Sequence, residues 1–337
     1  MKVCLLTRFF SRRNAGIGQY SLNLLREMIE RGHEVDPVCT TRRGKAGYLL
    51  YTGAEIRFRI PRDVDVYHAL TPLESIYLPK KKTVVSFHDF IPWLHRQEET
   101  WYFKGFSGRF NRWFGSWWFK RACKKAAKSE RIICNSDQTK REVMENLKVG
   151  EEKIIITRLG ISKDLNPKPK KHEGIRIGTL SYLDPRKRIN VLIKAFKSAN
   201  LDDAELLIAG KGQDKQRLEA IADGDSRIIF LDFVPEKKKA AFFNSLDFFV
   251  LPSKLEGYGL PFVEAMACGI PVVSLSDALI PADVKSRTHI VREAYLSDLL
   301  KNRNFKCDLD ANLKFAKLHD WGKLADQTEV IYEEVVK

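Results

Sequence analysis

No stretch of this 337-residue chain approaches the roughly 18–20 consecutive apolar residues that a membrane-spanning helix needs. The richest run, Ala240 to Leu251, is interrupted by Asn244, Ser245 and Asp247. At the start, the apolar core Val3–Leu6 gives way at once to Arg8, Arg12 and Arg13, too short for a secretory signal. Cysteine pairs are missing too. The six cysteines (Cys4, Cys39, Cys123, Cys134, Cys268 and Cys307) form no C-x-x-C, which argues against both a zinc site and a disulfide framework. They read as buried thiols of a reducing compartment, so the expected setting is cytoplasmic. Acid is the scarce charge: 43 acidic residues face 58 basic ones, a formal net of +15. Residues 1–160 hold 30 basic and 17 acidic residues, and the remainder hold 28 and 26. A basic first half and a nearly neutral second half imply different partners for the two.

What the chain does have is 44% hydrophobic residues and enough length for two domains. Short apolar runs read as ten strands: Val3–Thr7, Val64–His68, Thr83–Phe87, Ile132–Asn135, Ile154–Arg158, Ile175–Thr179, Glu205–Ala209, Ile228–Leu231, Phe248–Leu251 and Val272–Leu275. Amphipathic patterns such as Gly18–Arg31 and Arg188–Ala199 lie between several of them. Continuous apolar strands alternating with helices predict parallel sheets covered on both faces. The fold class is α/β, with two Rossmann-like doubly wound domains. Between them Lys163–Gly174, with two prolines and four lysines, reads as a linker. The expected domains are residues 1–165 and 166–315, with a terminal helix over 316–337 packing back on the first.

In open parallel sheets, ligands sit outside the carboxyl ends of the strands, so the residues that end each strand carry the argument. His88-Asp89 ends one strand, where the imidazole can meet a sugar hydroxyl or phosphate or simply occupy a turn. Gly16-Ile17-Gly18-Gln19-Tyr20 opens a helix, but Arg8 to Ala15 separate it from the preceding strand, unlike a dinucleotide fingerprint. Arg186 and Lys187 follow Gly178-Thr179-Leu180 at a helix start, where basic residues oppose the helix dipole unless an anion is bound. The alternative is a solvated basic turn, and for Gly210-Lys211-Gly212 the plain turn is preferred. The sharpest signal is Pro252-Ser-Lys-Leu-Glu256-Gly257-Tyr258-Gly259-Leu260-Pro261-Phe-Val-Glu264-Ala-Met-Ala-Cys-Gly269. Gly257 and Gly259 let loop N–H groups converge on an oxygen-rich ligand. Pro261 suits a first helical turn. Glu264 is expected in that turn, accepting from a vicinal diol, with Glu256 facing the same crevice.

These residues resemble the family-four retaining glycosyltransferases of the two-Rossmann, GT-B architecture. Glu256-Gly-Tyr-Gly-Leu-Pro-Phe-Val-Glu264 looks like the family's paired-glutamate motif. Gly178-Thr-Leu with Pro185-Arg-Lys and Leu192-Ile-Lys-Ala-Phe196 is similar to its diphosphate segment. Gly16–Tyr20 and Phe87–Pro92 resemble its amino-domain motifs, and Trp321 with Tyr332 its terminal helix. The resemblance implies two domains facing across a cleft. It implies that Glu264 bonds the ribose, that Glu256 and the Gly257–Leu260 backbone meet the donor sugar, and that Arg186 and Lys187 hold the diphosphate. His88 would lie near the reacting carbon, and Gly16 and Gly18 would border the diphosphate and acceptor. Two departures stand out: Thr179 where many relatives carry arginine, and Arg188 in place of the commoner glycine or asparagine.

No Asp-x-Asp pair stands out as a metal ligand set, so neither metal nor resident cofactor is expected, the nucleotide sugar being a co-substrate. The expected reaction is hexose transfer to a glycan or lipid-linked acceptor, with GDP-mannose the first donor considered and UDP-glucose or another UDP-sugar the next. The rival from another class is a non-catalytic basic protein, binding membrane or nucleic acid, on a degenerate scaffold. Residues 101–128 keep part of that rivalry open, with ten aromatics, eight basic residues and no acid. At helical spacing Phe103, Phe106, Phe110, Trp113, Phe114, Trp117 and Trp118 form a stripe flanked by Arg109, Arg112 and Lys120. Such a stripe packs on the domain core, lies on anionic lipid, or stacks single-stranded nucleic acid. Since the rest of the chain supplies a sugar-transfer site, no nucleic-acid partner is expected. The lipid reading places the protein peripherally on the cytoplasmic face of a membrane.

Overall fold

The computed structural model describes residues 1–8, 10, 15–40, 50–94 and 106–337, excluding the side chains of 15, 92, 94 and 106–114. The chain forms two compact units, Met1–Gly160 with Asp320–Lys337, and Ile161–His319.

The first unit carries strands β1 (Lys2–Leu6), β2 (Glu34–Val38), β3 (Val66–Ala69), β4 (Thr83–Phe87), β5 (Arg131–Cys134) and β6 (Ile154–Ile156). Its helices include α1 (Ala15–Glu30), α2 (Phe106–Ala126), α3 (Asp137–Leu147) and, from the far end of the chain, α7 (Trp321–Val336). The sheet is parallel in the order β2-β1-β3-β4-β5-β6. Its direction of progression reverses between β1 and β3, a doubly wound order of the flavodoxin kind. The apolar runs form strands because both faces are covered: every residue of β3 and β4 is buried.

Helix α7 starts on an Asp320 cap that accepts from the Lys323 N–H at 3.0 Å. It buries Leu324, Ala325, Thr328, Ile331, Tyr332 and Val335, a stripe of helical period. Arg31, just past the end of α1, holds it from outside, donating to Asp326 at 2.7 Å and to the Gly322 carbonyl at 3.0 Å.

The second unit carries β7 (Ile175–Leu180), β8 (Ala204–Ala209), β9 (Ile228–Asp232), β10 (Phe248–Val250), β11 (Val272–Leu275) and β12 (His289–Val291). Among its helices are α4 (Ile189–Ala199), α5 (Glu236–Phe243) and α6 (Leu260–Ala267). The order β12-β11-β10-β7-β8-β9 is the Rossmann order, with its switch point between β7 and β10.

Two strands lie outside the ten expected, β2 and β12. Both are edges. In Glu34-Val-Asp-Pro-Val38 two acids and a proline break the apolar pattern, which an edge strand tolerates. His289–Val291 is only three residues long. The lysine-rich segment read as a linker falls instead within the second unit. Asn244 straps it down, its amide donating to the Asn166 carbonyl at 3.0 Å and its side-chain oxygen accepting from the Lys168 N–H at 2.6 Å.

Candidate active site

The switch point of the second sheet brings the β7–α4 loop against the β10–α6 loop. Gly210 (φ +138°) and Gly212 exist for close approach: a Cβ on them would fall 1.8 Å from the Ser181 carbonyl oxygen and 1.9 Å from that of Leu183. This turn is therefore structural, bracing the β7–α4 loop, whose Leu183 N–H donates to the Lys211 carbonyl at 2.9 Å. The Arg186 carbonyl in turn accepts from the Lys254 N–H at 2.9 Å, and the Arg186 guanidinium donates to the Leu255 carbonyl.

Within this frame Lys187 Nζ lies 2.5 Å from Glu256 Oε1, both side chains being 8% exposed. Arg186 stands 3.8 Å from the other Glu256 oxygen and 3.7 Å from Asp184. Burial opposes both charges of the pair. Lys187 is pulled below its usual range by that burial and by Arg186. Glu256 is held below the carboxylate range because Lys187 and Arg186 outweigh its desolvation.

Gly259 takes φ +93° ahead of α6, and Pro261 occupies the first turn. Glu264 is the fifth residue of α6, just beyond the first turn where the sequence placed it. It is 5% exposed, and Oε1 lies 2.5 Å from Lys239 Nζ. Lys239 also meets Glu236 at 3.1 Å. Sequence reasoning missed Lys239, the third in a run of three lysines. Its one signal is a position three residues after Glu236, on the same face of α5.

Glu264 Oε2, the Thr179 hydroxyl and the Ser181 hydroxyl are buried with no hydrogen-bond partner. Buried polar atoms without partners are uncommon, and these three suit a polar ligand. Tyr258 is fixed from behind by His319, the last residue of the unit. Its hydroxyl lies 2.5 Å from Nε2, while Nδ1 lies 3.0 Å from the Phe315 carbonyl.

Arg188, where the family resemblance leads one to expect glycine or asparagine, adopts φ +50°. Its side chain offsets that strain, donating to both Asp277 oxygens at 2.8 and 2.9 Å and to the Pro252 carbonyl at 2.8 Å. These bonds and the neighbouring Lys254 hold Asp277 well below its ordinary range.

In the first unit His88 follows β4. Its Nε2 lies 2.9 Å from the Leu70 carbonyl, which fixes a proton on that nitrogen and leaves Nδ1 as the acceptor. Burial pushes its pKa down to about 4, so the ring is neutral at physiological pH. Tyr20 of α1 packs edge-on against it at 4.7 Å between ring centres. The Tyr20 hydroxyl reaches Ser86 at 2.9 Å, Ser86 reaches His68 Nε2 at 2.8 Å, and His68 Nδ1 reaches the Tyr332 hydroxyl at 2.6 Å. Burial pushes His68 down to about 3. Gly18 is buried, whereas Gly16 is exposed in α1 and a Cβ there would meet nothing within 4 Å. The structure thus groups Arg186, Lys187, Glu256, Gly257, Tyr258, Gly259, Leu260 and Glu264 in the second unit, and Gly16, Gly18 and His88 in the first.

Of the aromatic stripe, the side chains of Phe110, Trp113, Arg109 and Arg112 lie outside the described residues. The described end of α2 divides the stripe. Trp118 donates to the Thr52 hydroxyl at 3.2 Å and Phe119 is buried, while Trp117 is 46% exposed with the Arg121 guanidinium 5.9 Å from its ring. Lys120 does not flank a free face but stands 5.1 Å over the Trp93 ring. No helix among the described residues is long and apolar enough to cross a membrane.

Two parallel doubly wound units carrying these loops define an α/β fold that matches GT-B glycosyltransferase structures. Residues 161–289 match the family Glycosyl transferases group 1, and residues 14–165 match Glycosyltransferase Family 4. The chain belongs to the group 1 glycosyltransferases, of the family-four kind. It is 24% identical to the O-antigen chain mannosyltransferase B of Escherichia coli, over 83% of this chain and 84% of the relative. It is 32% identical to the phosphatidyl-myo-inositol mannosyltransferase of Mycobacterium leprae, over 60% of this chain and 59% of the relative. The Anabaena protein HepE, solved in complex with UDP and glucose, superposes with a TM-score of 0.71 at 15% identity, covering 99% of this chain and 100% of that one.

Proposed function

We propose that the protein transfers a hexose from a nucleotide diphosphate sugar, with retention and without a metal ion, to a glycan or lipid-linked acceptor at a membrane surface. The observation that carries this reading is the buried Lys187–Glu256 pair at the switch point of the Rossmann-order sheet. Cleavage of the sugar–phosphate bond leaves positive character at the anomeric carbon and negative charge on the departing diphosphate. Lys187 and Arg186, already fixed by Glu256 and the Leu255 carbonyl, meet that negative charge without reorganising. Glu256 and the Gly257–Leu260 backbone accept from and donate to the sugar hydroxyls, and Glu264 accepts from the ribose. His88, neutral with Nδ1 as acceptor, reads a sugar hydroxyl in place of a phosphate.

Mannose from GDP-mannose is the preferred donor, followed by glucose or another sugar from a UDP-sugar. The mannosyltransferase relatives support the first, and a neighbour solved with UDP and glucose supports the second. Thermal unfolding with UDP-, GDP- and ADP-sugars tests the donor, since a ligand at 100 times its Kd stabilises by about 2.7 kcal/mol. The purified chain is then expected to hydrolyse or transfer the stabilising sugar. No shift and no turnover with any of them would leave only a non-catalytic scaffold.

The membrane part of the reading rests on Trp117, exposed beside Arg121 on a helix without acid. Anionic vesicles are expected to sediment the protein. Trp113→Ala with Trp117→Ala should release it, and unchanged sedimentation would remove the membrane from the proposal.

A further inference from the structure

We propose that Lys239, itself anchored by Glu236, is a positioning residue that favours the anionic Glu264 carboxylate and leaves Oε2 to accept from the ribose diol of the donor. The inference rests on the donor-site reading of the second unit and adds a residue that no motif assigned. Lys239 Nζ is shared between two carboxylates, 2.5 Å from Glu264 Oε1 and 3.1 Å from Glu236 Oε2. Both lysine and glutamate are largely covered, with side-chain exposures of 16% and 6%. An ammonium offers three donors, so one is spent on Glu264 Oε1 and one on Glu236, which anchors the lysine. The other oxygen, Oε2, has neither solvent nor partner. A buried anionic oxygen without a donor is unfavourable in the free protein, and a ligand hydroxyl relieves it.

The groups facing Glu264 determine what Lys239 contributes. Burial, and then the repulsion of Glu236 on α5, hold the Glu264 carboxyl above its ordinary range even with Lys239 beside it. Cys268, four residues on and just past the end of α6, is pushed up to about 12 by burial and by Glu264 itself, so it stays neutral. Lys239 is therefore the cation that opposes protonation. Its own charge survives burial because Glu264 and Glu236 more than compensate the lost hydration. Without it the Glu264 carboxyl is pushed further toward the protonated acid, one oxygen becomes a donor, and the match to a pair of hydroxyls is lost. Raising the pH removes that proton and restores the match.

The test measures binding of UDP and GDP, and of their 2′,3′-dideoxy forms, from pH 6 to 9. Wild-type protein is expected to prefer the diol nucleotide by about tenfold or more at pH 7, equivalent to one strong hydrogen bond, with a weaker pH dependence than the lysine variants. Lys239→Met should reduce that preference about tenfold at pH 7 and regain it as the pH rises, while Lys239→Arg should stay within about threefold of wild type. A merely structural lysine would weaken ribose and dideoxyribose nucleotides equally at every pH, and that outcome overturns the proposal. Lys239→Gln repeats the measurement if Lys239→Met is insoluble. Glu264→Ala separates the two layers. If it binds nucleotide as wild type does, the donor-site reading itself fails. If it weakens binding while Lys239→Met keeps the full preference, only the role of Lys239 fails.

Discussion

At the strand ends of the second unit the buried polar groups are ions held by ions, Lys187 by Glu256 and Lys239 by Glu264. Near the corresponding ends of the first, two neutral rings take that place, His68 between Tyr332 and Ser86, and His88 on the Leu70 carbonyl. The physical cost being avoided is the same, a charge or donor stranded away from water. The remedies suit different ligands. Paired ions stay charged in a dry site and can redirect that charge toward an anion. Neutral imidazoles cannot neutralise a phosphate, but they accept from and donate to hydroxyl groups.

The largest expected effect breaks the ionic side of this contrast. Lys187→Ala should cut turnover by ~10²–10³, the usual loss for one preorganised donor. It also strands Glu256, so the variant should lose about 3–5 kcal/mol of stability. Lys187→Met combined with Glu256→Gln should recover most of the stability and none of the turnover. Recovered turnover in that double variant would make the pair purely structural.

Acid sharpens the contrast next. The folded pKa values of His68 and His88 lie below the unfolded value near 6.5. Their contribution is complete above that pH and is lost as the pH falls through about 4 and then about 3, on the order of several kcal/mol in all. Glu256 is lowered from 4.5, so its contribution fades only below that value. Between pH 6.5 and 5, peptide-resolved hydrogen exchange should therefore rise in the first unit and not around Glu256. His68→Gln should flatten that acid response. Equal exchange in both units would contradict the neutral-ring account.

The smallest effect concerns Tyr258→Phe, which leaves His319 Nε2 without its donor. It should cost about 1–2 kcal/mol in unfolding. Donor KM should rise by several-fold and kcat should change little if the hydroxyl only positions the loop.

How much of this was legible in the sequence follows from how local each signal is. Glu256 and Glu264 lie eight positions apart in a frame of glycines and one proline, so loop and helix were readable together. Twelve strands reduced to ten because β2 and β12, as edges, need no continuous apolar run. Glu264 fell one residue outside its expected turn because the helix begins at Leu260, behind a left-handed Gly259. Lys239 was hidden because its partner stands 25 residues away on another helix. His68 was hidden more deeply, since the hydroxyl that gives it meaning belongs to Tyr332, 264 residues on. Trp117 and Trp118 share a stripe on paper, yet adjacent residues on a helix point about 100° apart, so Trp118 turns in to Thr52 while Trp117 stays exposed.

The assignment of α7 to the first unit also sets an order of events during synthesis. Residues 1–160 leave the ribosome first, but their buried His68 has no Tyr332, and Arg31 has only Glu27, until residues 320–337 appear. The whole second unit is translated in that interval, on the order of ten seconds at ordinary elongation rates. The second unit is thus free to finish first, and the opening half of the chain waits, with an apolar groove uncovered, for its last helix to arrive.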